Sequence, residues 1–487
     1  MLKLTDAGLL RAEAYVDGAW VAARSGERFT VANPATGATL AEVADLDVED
    51  VRLAIDAAAR AGPEWRSLTA KARAVVMRRW FELIMAGQED LAALMTAEQG
   101  KPLAETRGEV AYGASFIEWF AEEAKRTYGD VIPTHQAGKR IVVIKQPIGV
   151  VGAITPWNFP NAMITRKAAP ALAAGCTFVI KPSMETPLSA LALAELAHRA
   201  GVPKGVFNVV TSTRSRTVGL ELTQNPLVAK FSFTGSTGVG KQLMAQCATT
   251  VKKVSLELGG NAPFIVFEDA DLDAAVEGAL ASKYRNMGQT CVCANRFLVQ
   301  ESVHDAFAEK LTRRVAAMKV GDGADAGVTQ GPLINLEAVE KVERLVADAL
   351  DGGAKLTLGG RRHALGGTFF EPTVITGVTP TMAIAREEIF GPVATLTKFT
   401  HEAEAVELAN DTEVGLAAYF YARDLGRVIR VAEALEYGMV AVNDGILSTE
   451  VAPFGGVKQS GIGREGSKYG IEEYLEMKYI LLGGLDG

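Results

Sequence analysis

The sequence has 487 residues, 48% hydrophobic and 22% charged, which implies two or three packed globular domains and excludes a disordered or fibrous chain. Its net charge of −8 excludes the basic footprint of a nucleic-acid binder. The four cysteines, Cys176, Cys247, Cys291 and Cys293, are too few for a disulfide framework, and the histidines show no zinc spacing, so no metal is expected.

The N-terminal residues lack the apolar core of a signal peptide, and no apolar run reaches the length of a membrane span. A cytoplasmic protein without a membrane partner is expected. The chain opens with extended segments, Tyr15 to Gly18 and Phe29 to Val31, and a turn over Asn33 to Gly37. A helical stretch follows from about Val48 to Tyr128, punctuated at Gly62-Pro63 and Gly100-Lys101-Pro102. Two β-branched runs come next, Arg140 to Ile144 and Gly149 to Ile154. From there strands and helices alternate. Strands are predicted at Thr177–Ile180, Val206–Val210, Leu227–Phe233 and Arg296–Val299. Helices are predicted at Pro187–Ala200, Ser236–Ala248, Asp271–Tyr284 and Val303–Met318. The last strand falls near Met439 to Val442. This rhythm is that of an α/β fold with a doubly wound parallel sheet. No internal repeat or low-complexity linker separates the units.

Four segments carry residue types suited to carbonyl chemistry. Gly288-Gln289-Thr290-Cys291 offers a thiol that can add to a carbonyl carbon; a buried cysteine is equally a small hydrophobe. Glu257, between Leu256 and Leu258, is a candidate general base, although the alternation around it also fits a glutamate exposed on a strand's polar face. Asn158, in Pro156-Trp157-Asn158-Phe159-Pro160, can donate to an oxyanion or cap the helix that starts near Pro160. The turn from Gly235 through Ser236 to Gly240 can present N–H groups to a phosphate, or be a tight turn with a serine cap.

In this order, and with Glu387-Glu388-Ile389-Phe390-Gly391-Pro392 and Pro453 to Gly461, these segments resemble the aldehyde dehydrogenase superfamily over nearly the whole chain. Within it the chain is most similar to succinate-semialdehyde dehydrogenases. The markers are Cys291-Val292-Cys293, Ile164 to Lys167, Lys283 to Asn286, and Gly463 to Gly470. The resemblance implies a Rossmann-like cofactor domain over 1–128 and 148–260, an α/β catalytic domain over 261–462, and a small β oligomerisation domain over 129–147 and 463–487. It implies a homodimer or homotetramer. Cys291 falls at the nucleophile, Glu257 at the base that activates water against the thioester, and Asn158 at the oxyanion donor. Trp157, Lys181, Gly235, Ser236, Gly240, Glu388 and Phe390 fall along a nicotinamide cofactor.

Ser183 and Met184 bear on cofactor choice. Relatives that prefer NAD carry a glutamate at the position of Met184, so NADP is expected to be accepted and preferred here, with NAD as the alternative. Glu185, one position on, is a candidate replacement. Arg166, Arg285 and Ser448 (or Thr449) fall where the subfamily binds a substrate's distal carboxylate, and guanidinium forks suit that task. The implied reaction is oxidation of succinate semialdehyde to succinate. Alternatives are glutarate semialdehyde or a broader aldehyde range, since one methylene is discriminated by only ~1–3 kcal/mol. Acyl transfer to coenzyme A is disfavoured by a hydrolytic base at Glu257. Cys293 is a candidate redox partner of Cys291.

Overall fold

The computed structural model describes residues 2–485. Two large sheets form its frame. In the first, five strands run parallel in the order Phe207–Val209, Thr177–Lys181, Val150–Ile154, Val228–Thr234 and Lys253–Glu257. Val150–Ile154 comes first in the chain and lies in the middle; later strands add to either side. The building direction therefore reverses between Val150–Ile154 and Val228–Thr234. Doubly wound sheets open their binding crevice at the carboxyl ends of the strands at such a point. The turns leaving these two strands carry Trp157 and Asn158, and Gly235 and Ser236. Thr177–Lys181 is buried at every residue, as a strand covered by helices on both faces must be.

The second sheet has seven strands, with Ala262–Val266, Ala294–Gln300, Val393–Phe399 and Ala417–Tyr421 parallel at its centre. Cys291 lies just before Ala294–Gln300, and Glu388 and Phe390 just before Val393–Phe399. This sheet thus contributes through the amino ends of its strands, facing the carboxyl ends of the first. The chain then returns. Gly461–Ile462 runs antiparallel along Lys253–Glu257, with Gly461 opposite Glu257. Those two residues belong to the first sheet, inside the span expected for the catalytic unit. A third sheet pairs Arg140–Pro147 with Asp130–Ile132 on one side and Leu475–Leu482 on the other.

The long helical stretch resolves into Val48–Ser67, Ala70–Ala86, Gln88–Gln99 and Leu103–Glu123. Gly62-Pro63, expected to interrupt it, lies inside the first helix. The last turn is held by tertiary contact instead: Trp65 is fully buried and its indole N–H donates to the Leu172 carbonyl at 3.0 Å. The break comes at Leu68, followed by Thr69, whose hydroxyl caps the next helix at Ala72.

All 13 residues of Ala162–Ala174 are buried, Arg166 and Lys167 among them. Cations out of water require paired partners, so this helix announces a site rather than a core. Among the described residues no helix is long and apolar enough to cross a membrane, and no group of His, Cys, Asp and Glu could hold a metal ion.

Candidate active site

Between the two sheets lies a cleft of about 680 Å³, whose lining includes Trp157, Ser236, Glu257, Cys291, Glu388 and Phe390. Cys291 alone of the four cysteines reaches it, partly exposed. Burial pushes its thiol up to about 12, the Glu388 carboxylate adds to the rise, and Arg166 opposes it. The neutral thiol is therefore the resting form, and a base or a bound cation must help it ionise.

Glu257 ends its strand at 4% exposure, with Oε2 lacking any hydrogen-bond partner. The exposed polar face allowed by the sequence does not exist: Gly461–Ile462 pairs along the strand edge, and the returning chain around Gly455, with Arg166, Lys167 and Glu465, closes over the side chain. The return loop comes so close that a Cβ on Gly455 would sit 3.0 Å from Glu257 Oε1. Burial, and then the Glu465 carboxylate, hold the Glu257 pKa well above the usual carboxylate range; Arg166, Lys167 and Arg464 pull the other way. A carboxyl group in that state can take a proton near neutral pH.

Asn158 caps no helix. The helix begins at Ala162, and its first amides are taken by Glu109, whose Oε1 accepts from Asn161 N–H at 2.9 Å and Ala162 N–H at 3.3 Å. The Asn158 side chain is instead free to face the thiol loop. Its Nδ2 donates to the Gln289 carbonyl at 3.0 Å, two residues before Cys291.

The side of the cleft where the cofactor is expected is framed by Trp157 and Phe390, edge to face with ring centroids 5.7 Å apart. Phe390 holds a left-handed backbone, φ 55°, unusual for an aromatic residue. Glu388 accepts one hydrogen bond, from Gly260 N–H at 3.2 Å, and burial raises its pKa to about 7. Its remaining lone pairs suit ribose hydroxyls. Ser236 precedes the helix Thr237–Cys247 without a side-chain cap bond, so the helix amides are open towards the cleft. Gly240, expected on the cofactor's path, lies outside the cleft lining; a Cβ there would meet Leu258 Cδ2 at 2.4 Å, so this glycine serves helix-on-strand packing. Lys181, Ser183 and Met184 also lie beyond this lining. The Lys181 ammonium is buried, contacts only the Pro182 carbonyl at 3.3 Å, and is lowered by burial to about 8. Met184 is exposed.

A second group converges on the opposite side of the thiol. Arg166 faces Glu465 at 2.7 Å and stacks 3.9 Å over the Phe454 ring, yet its Nε and Nη2 lack directed acceptors. Arg285 lies 5.4 Å over the Phe159 ring with its Nε likewise unpartnered. The buried Tyr112 hydroxyl has no directed partner; Arg166, Arg285 and Ser448 all lie near enough to lower its pKa against the rise that burial imposes. Ser448 rather than Thr449 belongs to this group, because the Thr449 hydroxyl donates to Glu450 at 3.4 Å. Cys293 is buried away from the cleft lining, its thiol against the Lys283 carbonyl at 3.7 Å.

Sequence reasoning missed Tyr112, Lys101, Glu109 and a role for Glu465. In the sequence Lys101 is only punctuation between helices, and Tyr112 is one more residue of a helical stretch. Their signal is three-dimensional: Lys101 pairs with Glu109, both 1% exposed, and its Nζ donates to the Asn158 carbonyl at 2.7 Å.

A thiol from one sheet, set across a nucleotide-sized cleft from a buried carboxyl group and a side-chain amide of the other, gives the parts of a dehydrogenase that works through a covalent acyl step. The family model for aldehyde dehydrogenases matches residues 20–480, and the chain belongs to that family, as an NAD(P)-dependent oxidoreductase. At the level of individual proteins, it is 64% identical to a glutarate-semialdehyde dehydrogenase from Pseudomonas aeruginosa over 484 residues, covering 99% of this chain and 100% of that one. It is 64% identical to an NADP(+) succinate-semialdehyde dehydrogenase from Escherichia coli over 482 residues, 99% of this chain and 100% of the relative. A crystal structure of succinate-semialdehyde dehydrogenase from Burkholderia pseudomallei superposes with a TM-score of 0.98 at 62% identity, covering 99% of this chain and 100% of that one.

Proposed function

We propose that the chain oxidises succinate semialdehyde to succinate with NADP as its preferred acceptor. The carrying observation is the cluster of donors on the Arg166 side of Cys291: the Arg285 Nε and the Tyr112 hydroxyl are buried without a directed partner, and Arg166, paired with Glu465, and Ser448 lie beside them. Buried donors without acceptors are costly, and a carboxylate at the far end of a short aldehyde satisfies them. Glutarate semialdehyde, one methylene longer, is the second reading, supported by the equally similar Pseudomonas relative. A substrate panel tests both: the two carboxylated semialdehydes are expected to outrun butanal strongly, and equal kcat/KM values for all three would overturn the proposal.

The residues divide the work as follows. Cys291 loses its proton and adds to the carbonyl carbon. The Asn158 amide donates to the developing alkoxide. The nicotinamide cofactor, when bound, supplies the hydride acceptor. The half-buried Glu388 carboxylate and the Trp157–Phe390 pair fit its nicotinamide end. Loss of hydride from the tetrahedral adduct leaves a thioester on Cys291. Glu257 then takes a proton from the water that attacks the thioester, and the acid leaves as the thiol is restored.

The expected cofactor preference rests on residues 181–185. Met184 offers no carboxylate to repel a 2′-phosphate, and Glu185 is held at the rim by Asn335, 3.5 Å away. The Lys181 ammonium is short of acceptors. NADP is expected to give the higher kcat/KM, and Met184→Glu to shift the ratio towards NAD by roughly tenfold, about 1.4 kcal/mol. A wild-type constant for NAD tenfold above that for NADP would reject this reading.

Cys293 is proposed as a reversible thiol partner of Cys291. So short a loop strains the bond and makes it easily reduced. Peroxide is expected to inactivate the enzyme and dithiothreitol to restore it. Equal reversibility in Cys293→Ala would refute the pairing. We further infer a three-unit division, as the resemblance implies, and a homodimer or homotetramer. The apolar side chains left exposed on the small sheet, Val131 and Met477 at 75% and Tyr479 at 58%, support that assembly.

A further inference from the structure

Asn286 enters none of the steps above, yet it is 1% exposed and holds left-handed backbone, φ 49°. Asparagine tolerates that conformation better than most residues. Its polar groups are all engaged. The backbone N–H donates to Glu105 Oε2 at 2.8 Å. The backbone carbonyl accepts from Gln289, from its N–H at 2.9 Å and from its Nε2 at 3.1 Å. The side-chain Oδ1 accepts from Gln99 Nε2 at 2.9 Å. The side-chain Nδ2 is shared between two carbonyls, that of Asn158 at 3.1 Å and that of Gln289 at 3.3 Å.

These two acceptors belong to the two halves of the reaction centre. Asn158 follows a strand of the first sheet; Gln289 lies in the thiol loop of the second. The Gln289 carbonyl also receives the Asn158 side chain at 3.0 Å. One carbonyl therefore orients the Asn158 amide, and one asparagine holds both that carbonyl and the Asn158 main chain. The anchor beneath comes from two packed helices: the buried Gln99 ends Gln88–Gln99, and Glu105 lies in the first turn of Leu103–Glu123.

We propose that Asn286 is a positioning residue, which fixes the separation between the Asn158 amide and the Cys291 thiol so that both reach one carbonyl group. The proposal rests on the reading of Asn158 as the oxyanion donor. Asn286 touches neither substrate nor cofactor; it acts through Asn158.

The test compares Asn286→Gly, Asn158→Ala and the double variant. Glycine keeps the left-handed backbone without steric cost and removes the amide. Three rates are read: aldehyde oxidation with its kcat and KM, cofactor-free hydrolysis of a nitrophenyl ester, and alkylation of Cys291 by iodoacetamide. Ester hydrolysis needs both the thiol and the oxyanion donor, whereas alkylation needs the thiol alone. In N286G, kcat and ester hydrolysis are expected to fall together by up to about 100-fold, the scale of a misplacement near 1 Å. Alkylation and the KM for NADP stay near wild type. The double variant is no slower than N158A, because a residue acting only through Asn158 has nothing left to position.

If N158A is impaired and N286G stays within roughly twofold of wild type, or the double variant falls by the product of the single effects, the positioning role is overturned while the oxyanion reading stands. If N158A itself keeps wild-type rates, the oxyanion reading falls and this inference with it. Asn286→Asp, which keeps the volume and the acceptor for Gln99 but loses the donor, serves as second variant should N286G fold poorly, and is expected to give the same split between ester hydrolysis and alkylation.

Discussion

Replacing Glu257 by glutamine is expected to give an enzyme that reduces about one cofactor per active site and then stalls. The hydride leaves before water attacks, so the acyl group should collect on Cys291. General-base assistance contributes roughly 10²–10⁴-fold, and steady-state turnover should drop by that factor. A rapid-mixing trace of reduced nicotinamide shows the burst, and mass spectrometry of quenched enzyme shows the acyl adduct. The sign of the pH effect follows from burial. The Glu257 pKa is raised, so its basic form is present above that raised value and is lost as pH falls through it. Wild-type activity should therefore have an acid limb above the ordinary carboxylate range, and the glutamine variant should lose that limb. A variant with no burst and a free thiol would place Glu257 earlier, as the group that deprotonates Cys291. The high Cys291 pKa, about 12, makes that outcome a real alternative.

Arg285→Ala should collapse the preference for succinate semialdehyde while sparing butanal. Losing one partner of a partly desolvated charge pair costs ~2–5 kcal/mol. At ~1.4 kcal/mol per decade, that is a loss of roughly one and a half to three and a half decades in kcat/KM. Butanal has no carboxylate and should react as before. Equal losses on both substrates would mean that Arg285 supports the thiol loop, and no loss on either would remove it from the site. Arg285 is the cleaner probe of the two arginines. Arg166 faces the buried Glu465 at 2.7 Å and opposes the rise in the Glu257 pKa. Its removal takes one of two buried cations from Glu465, which keeps Lys167, and breaking a buried pair costs up to ~3–5 kcal/mol. Arg166→Ala is therefore expected to lower Tm and to slow butanal as well, a pattern that Arg285→Ala should not share.

The local elements were legible in the sequence where local physics decides them. The helix Pro187–Ala200 and the strand Met439–Val442 appear at the expected residues. Proline at a first helical turn and a β-branched or apolar strand specify themselves. The alternation predicts a doubly wound parallel sheet, while the order of its strands and the switch point appear only in the fold. Cys291, Glu257, Asn158 and Glu388 could be named as site candidates only through the family resemblance, because the local pattern leaves each a plain structural reading.

Only the tertiary structure decided the states of those groups. Whether Glu257 faces water or protein depends on the loop around Gly455, some two hundred residues later in the chain, closing over its carboxylate. Pro63 should end a helix by local rules, yet Trp65 docking on the Leu172 carbonyl carries the helix past it. Gly240 reads as a phosphate-turn glycine, but Leu258 fills the space above it. Tyr112, Lys101 and Asn286 carry no local signal, because each acts on residues far away in sequence. Periodicity and turn chemistry are short-range and are written in adjacent residues. Desolvation, charge pairing and the sharing of one carbonyl between two amides exist only once distant segments have been packed together.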